Sequence, residues 1–148
     1  MGAARQRSHL RRVLSLALAA VLTVAATTGC NNKKSAETDS KMQEIAAGIQ
    51  AELATRPGVT KVEVDYQDTF DAPAASVVSI TAKHGTDLQP LVDESIKLVW
   101  TSKLNPLTSI RVDVTDPQDS SRSIDKLLTF AEAGEKAELE RKYGPRPA

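Results

Sequence analysis

The chain has 148 residues, enough for one domain of ordinary size and too few for two independent cores. Nineteen basic residues balance nineteen acidic ones overall, yet from Cys30 onward fifteen basic residues face nineteen acidic ones, a net charge of −4. That acidic excess, with five aromatic residues, two histidines and one cysteine, excludes a nucleic-acid surface, a Cys/His zinc site and a disulfide scaffold.

Arg5, Arg7, Arg11 and Arg12 lead the chain with no acidic residue among them, and fourteen apolar or small residues follow, Val13 to Ala26. A helix needs about 20 such residues to cross a bilayer, so the run has the length of a signal-peptide core instead. It ends on Thr27-Thr28-Gly29-Cys30. This boundary resembles the lipobox of bacterial lipoproteins, with Thr27 standing where that family usually has an aliphatic residue. The resemblance implies a signal peptide over residues 1–29, cleavage between Gly29 and Cys30, and a diacylglyceryl group on the Cys30 thiol. Two acyl chains, at about 0.8 kcal/mol per buried methylene, anchor a protein stably where a single chain does not. The expected location is therefore the extracytoplasmic face of the cell membrane, reached through the lipid on Cys30. Arg11-Arg12-Val13-Leu14 is faintly similar to a twin-arginine export signal, which leaves two export routes open.

Residues 30–40 (CNNKKSAETDS) are polar and predict a flexible tether of about 17 Å root-mean-square. The domain is expected over residues 41–116. Asp39 or Ser40 caps a first helix whose face is Met42, Ile45, Ala46, Ile49 and Leu53, and Pro57-Gly58 stops it. Val62, Val64 and Tyr66 alternate with charged residues as a strand, Gln67 to Pro73 reads as a polar loop, and Val78, Ile80 and Ala82 form a second strand. Asp87 caps a second helix that tolerates Pro90 in its first turn and ends near Lys103. Ile110, Val112 and Val114 give a third strand, ended by Asp116-Pro117. The order α-β-β-α-β predicts an α+β two-layer sandwich, with both helices on one face of a three-stranded sheet. Residues 117–148 are expected as a C-terminal extension. Ile124, Leu127, Leu128 and Ala131 have helical spacing, an edge strand over Leu127 to Phe130 is the alternative, and Gly144-Pro145-Arg146-Pro147 holds no regular structure.

Few residues carry recognisable chemistry. His84 is the only histidine after the leader and lies in a loop near Asp87, a position open to a general base but without an identifiable nucleophile. Asp65, Asp68 and Asp71 are spaced by three, yet the calcium-loop pattern is missing, so solvated turns are expected rather than a metal site. Neither a Gly-x-Ser-x-Gly elbow nor a glycine-rich phosphate loop occurs. No enzyme and no cofactor is expected. The second helix stands out because its apolar coverage exceeds one stripe. With Val92, Ile96 and Val99 on the core, Trp100 falls about 80° to one side, and Leu91 and Leu98 about 100° to 120° to the other. Two readings follow: the tail folds back and covers Leu91 and Leu98 with Leu127, Leu128 or Phe130, or Leu91, Leu98 and Trp100 form a partner surface.

The Ala- and Val-rich leader, the stretch Lys97 to Val114 and the end Leu139-Glu140-Arg141-Lys142-Tyr143-Gly144-Pro145-Arg146-Pro147 resemble uncharacterised lipoproteins of high-GC Gram-positive bacteria. That resemblance implies residence in the cell envelope with an envelope protein as partner, and carries no activity. The element order is also similar to that of BON domains, which implies a lipid- or cell-wall-binding module, although Gln67 to Ala82 lacks the glycines usual in that hairpin. A hydrolase using His84 is the third and weakest expectation.

Overall fold

Four strands build one sheet, and the buried apolar residues of each strand lie on the same face, clearest in the alternation along Val59–Thr69 and Ser109–Thr115. The computed structural model describes residues 30–69, 71–131 and 133–147. Its elements are α1 (Cys30–Ala54), β1 (Val59–Thr69), β2 (Ala72–Ala82), α2 (Gln89–Thr101), β3 (Ser109–Thr115), β4 (Ser123–Thr129) and α3 (Ala133–Tyr143). The strands lie in the order β1-β2-β3-β4, with β2 and β3 parallel and the outer pairs antiparallel. Antiparallel neighbours need only a tight turn, whereas the parallel pair requires the crossover that α2 supplies.

Register aligns Tyr66, Ser76, Ile110 and Leu128 in one row and Val64, Val78 and Val112 in the next. All of these are buried, and with Leu53, Val92, Val99, Trp100 and Leu104 they form a continuous core. The adjoining row on the other face is Asp65, Val77, Arg111 and Leu127, and Leu127 is 56 % exposed. The helices therefore cover one face and leave the other to solvent, as the sequence led us to expect.

The sheet has four strands rather than three. Residues 123–129 pair with β3 along its full length, an edge strand as the alternative reading had it but starting earlier than Leu127. Leu139 of α3 joins the core, so β4 and α3 pack with the preceding elements. The spacing of Ile124, Leu127, Leu128 and Ala131 misled because Leu127 and Leu128 point to opposite faces of a strand; the period that counts is Ile124, Lys126, Leu128. The expected loop over Gln67 to Pro73 also shrinks, since Gln67 pairs with Ala75 and Thr69 with Ala72. Its polar residues are accommodated because this end of the hairpin is exposed.

Residues 30–40 are helical rather than a coil, so α1 is already formed before Asp39 and Ser40 and neither residue caps its start. That segment has neither glycine nor proline, and Glu37 and Lys41 make an i,i+4 ion pair at 3.3 Å. Ala36 to Lys41 are all exposed, and Met42 packs against the core. From Cys30 to Met42 the helix runs about 18 Å at 1.5 Å per residue.

Further along, α1 lies beside the outer edge of the sheet. Gln43 Nε2 donates to Tyr66 O at 2.9 Å, and Val64 N donates to Gln50 Oε1 at 3.1 Å. Two glutamines seven residues apart therefore occupy edge groups of β1 that would otherwise be free to pair with another chain. Arg56 then ties the end of α1 to α2, bonding Glu52 Oε1 at 2.8 Å and Glu94 Oε1 at 2.6 Å. Gly58 is required where the chain turns into β1. Its φ is +84°, and an added Cβ would stand 2.5 Å from Thr86 Cγ2. The capping position of α2 is Leu88 rather than Asp87, whose Oδ1 instead accepts from Gln89 N at 3.2 Å. Pro90 sits in the first turn of α2, where its missing N–H is harmless.

Candidate functional site

The most developed concavity is built by the end of the chain. After α3, residues 144–147 have no helix or strand, yet they are held in place. Trp100 Nε1 donates to Gly144 O at 2.9 Å, and Arg146 Nη2 donates to Leu104 O. The Arg146 guanidinium stands over the Trp100 ring, 5.7 Å from its centroid, while Phe130 meets the same ring edge-on at 5.4 Å and 78°. Trp100 is thereby fully buried, although it projects well off the main stripe of α2.

Between this segment, the start of β3, the end of β4 and α3 lies a cleft of about 690 Å³. Its apolar lining includes Trp100, Leu107, Phe130, Pro73, Pro145 and Pro147, and its charged side chains are Lys136, Glu140 and Arg146. Lys136 and Glu140 are 3.9 Å apart, at the limit of an ion pair. Arg146 pairs with no carboxylate among the described residues, and its Nε is buried without a partner. Burial lowers the Arg146 pKa from its ordinary value, partly opposed by Tyr66. A volume of this size, walled by apolar groups with a few charges, is what a small-molecule site requires.

A second polar cluster lies among the loops that follow β2 and β3. Asp116 is buried, with its Oδ2 3.0 Å from His84 Nδ1, 3.4 Å from Gly85 N and 3.6 Å from Arg122 Nη1. Gln118 N donates to its Oδ1 at 3.0 Å, and Arg122 Nη2 donates to Thr86 O at 2.7 Å. Burial works to raise the Asp116 pKa; the bonds from Gln118, His84 and Gly85 outweigh it, and the carboxyl titrates below its ordinary range. With both oxygens engaged, Asp116 fastens the loop before α2 to the turn between β3 and β4. His84 takes part as a bonding partner of that tie.

The residues singled out in the sequence are distributed as follows. Cys30 is the first described residue, within α1, while Gly29 and the whole leader lie outside the described residues. Leu91 and Trp100 are buried and Leu98 is half-buried against the core, so the three do not form an exposed partner surface. Of the tail residues expected over Leu91 and Leu98, Phe130 instead packs on Trp100, Leu128 enters the core, and Leu127 faces solvent on the opposite side of the sheet. Asp65, Asp68 and Asp71 are exposed along β1 and at its turn, and no cluster of metal-ligating side chains occurs among the described residues. Arg146 and Asp116 escaped notice in the sequence. Asp116-Pro117 reads as a strand stop and Gly-Pro-Arg-Pro as a tail, and neither string announces the contacts it makes.

Fold and cleft together define an α+β two-layer protein with a half-open, charged-rimmed apolar groove beside its C-terminus. No protein-family model, curated protein or solved structure matches the chain. No helix among the described residues is long and apolar enough to cross a membrane.

Proposed function

We propose that the protein is a lipid-anchored lipoprotein of the extracytoplasmic membrane face, and that its domain is a non-catalytic binding module using the cleft. The observation that carries this reading is the junction at Cys30. The residue that the lipobox-like sequence marks for acylation is the first described residue and is already helical, within α1. Three turns of that helix separate Cys30 from Met42, which packs against the core, and Ala36 to Lys41 are exposed. A helical stalk beginning at the anchor would hold the domain roughly 18 Å from the acyl chains, clear of the headgroups. The net charge of −4 after the leader adds to this, since it disfavours direct adhesion to an anionic leaflet.

Cys30→Ser tests the anchor. The variant is expected in the soluble or released fraction, with the unaltered chain in the membrane fraction; retention of the variant would refute the reading. The second reading, a lipid- or cell-wall-binding module of BON-like type, draws on the retained order α1-β1-β2-α2-β3 alone. Sedimentation of the Cys30→Ser variant with vesicles or peptidoglycan would favour it.

A further inference from the structure

The cleft has chemistry specific enough to name a ligand class, an inference that rests on the cleft being the module's binding site. Its apolar wall is made of Phe130, Leu107 and Pro145, with the buried Trp100 behind Phe130 and Arg146, and none of these asks a ligand for hydrogen bonds, the Trp100 N–H being already given to Gly144. The charged lining, two cations and one carboxylate, is net +1 in a region of the chain whose net charge is −4. Arg146 is the cation without a counter-ion among the described residues. One guanidinium nitrogen serves Leu104 O, and the flat group is stacked over the indole. A half-buried cation in that state gains most from a single anion brought to it by an otherwise apolar body. Lys136, loosely held by Glu140, stands on the same cleft and reinforces the preference.

We propose that the cleft binds one fatty carboxylate, its headgroup on Arg146 and its alkyl chain along Phe130, Leu107 and Pro73. A flexible chain suits walls of rings and prolines, and about 690 Å³ accommodates a body of drug size. An aromatic carboxylate would satisfy Arg146 equally, so the test separates body as well as charge.

Trp100 is the only tryptophan in the chain and lines the cleft, so its fluorescence reports occupancy directly. The full chain in zwitterionic vesicles is titrated with octanoate, octanol, octylammonium and phenylacetate, with protein-free vesicles as blank. A saturable change with octanoate is expected, with the other three at least about tenfold weaker. Arg146→Gln should weaken octanoate about tenfold and leave octanol unchanged, as the loss of one charge-assisted bond requires. Because Arg146 also holds Leu104, Ala131→Phe serves as a second variant. Ala131 is exposed on the cleft wall, so the added ring narrows the site while the Arg146 side chain itself is retained. Octanoate should weaken in that variant too. Absence of a saturable octanoate signal, equal response to octanol, tighter phenylacetate, or indifference to both variants would overturn the proposal. A chain that stays membrane-bound through Cys30 yet ignores octanoate refutes the ligand alone, and one that binds octanoate but is not released by Cys30→Ser refutes the anchor alone.

Discussion

Replacing Trp100 probes the contact on which the C-terminal segment, and with it the cleft, depends. In Trp100→Phe the ring remains but the N–H to Gly144 O is lost, worth about 1 kcal/mol net, and some volume under Phe130 and Arg146 empties. About 2 kcal/mol of destabilisation is therefore expected. Trp100→Ala removes the whole buried side chain, and large aromatic truncations cost about 3 to 5 kcal/mol, a large share of the roughly 5 to 15 kcal/mol available to a domain. The informative comparison is a cycle with a chain ending at Tyr143, in which Gly144 and Arg146 are gone. Urea midpoints followed by far-ultraviolet circular dichroism measure all four species. Trp100→Phe should cost less in the shortened chain, by about 1 kcal/mol or more, because its hydrogen-bond partner is already missing. Strict additivity of the two changes would refute the claim that Trp100 holds the segment.

Gln43→Ala and Gln50→Ala each free one edge group of β1, at a cost of about 0.5 to 1.5 kcal/mol, and hydrogen exchange at the Val64 amide should quicken in the second variant only. The pH dependence follows from Asp116. Its carboxyl titrates below the unfolded value of about 4, so the stability it contributes is complete above that value and is lost as pH falls through the lower folded value. Asp116→Asn removes this dependence, and between pH 5 and 2, roughly the range over which such a carboxyl titrates, its urea midpoint should fall less steeply than that of the unaltered protein. Parallel acid limbs would show that Asp116 is not the group responsible.

Much of the fold could be read from periodicity, because burial on one face leaves a direct trace in the chain. Val62, Val64 and Tyr66 in β1, and Ile110, Val112 and Val114 in β3, repeat every second residue, and Met42, Ile45, Ile49 and Leu53 follow a helical step. β4 was obscured because it is an edge strand with Leu127 on the open face, so its apolar residues do not keep to one parity. The helical stalk was obscured for another reason: a polar run without glycine or proline suits either a coil or an exposed helix, and helix propensity there is not offset by burial.

The candidate site was less legible than the fold. Its residues come from distant parts of the chain, Trp100 from α2, Phe130 from the end of β4 and Arg146 from the last residues, and no local spacing joins them. The broad apolar coverage of α2 did signal a cover beyond the sheet, expected over Leu91 and Leu98 and found on Trp100. It could not say that the cover would be a proline-flanked arginine whose guanidinium closes over the ring and also lines a cleft. The His84–Asp116 tie was hidden likewise, since 32 residues separate the partners and Asp116 looks like an ordinary turn residue.

The account stands most directly on the chemical state of Cys30. Mass spectrometry of the N-terminal peptide from membrane-extracted protein measures it in one step. The expected mass is that of a chain beginning at Cys30 and carrying a thioether-linked diacylglyceryl group; a chain still beginning at Met1, one cleaved elsewhere, or an unmodified Cys30 would contradict it.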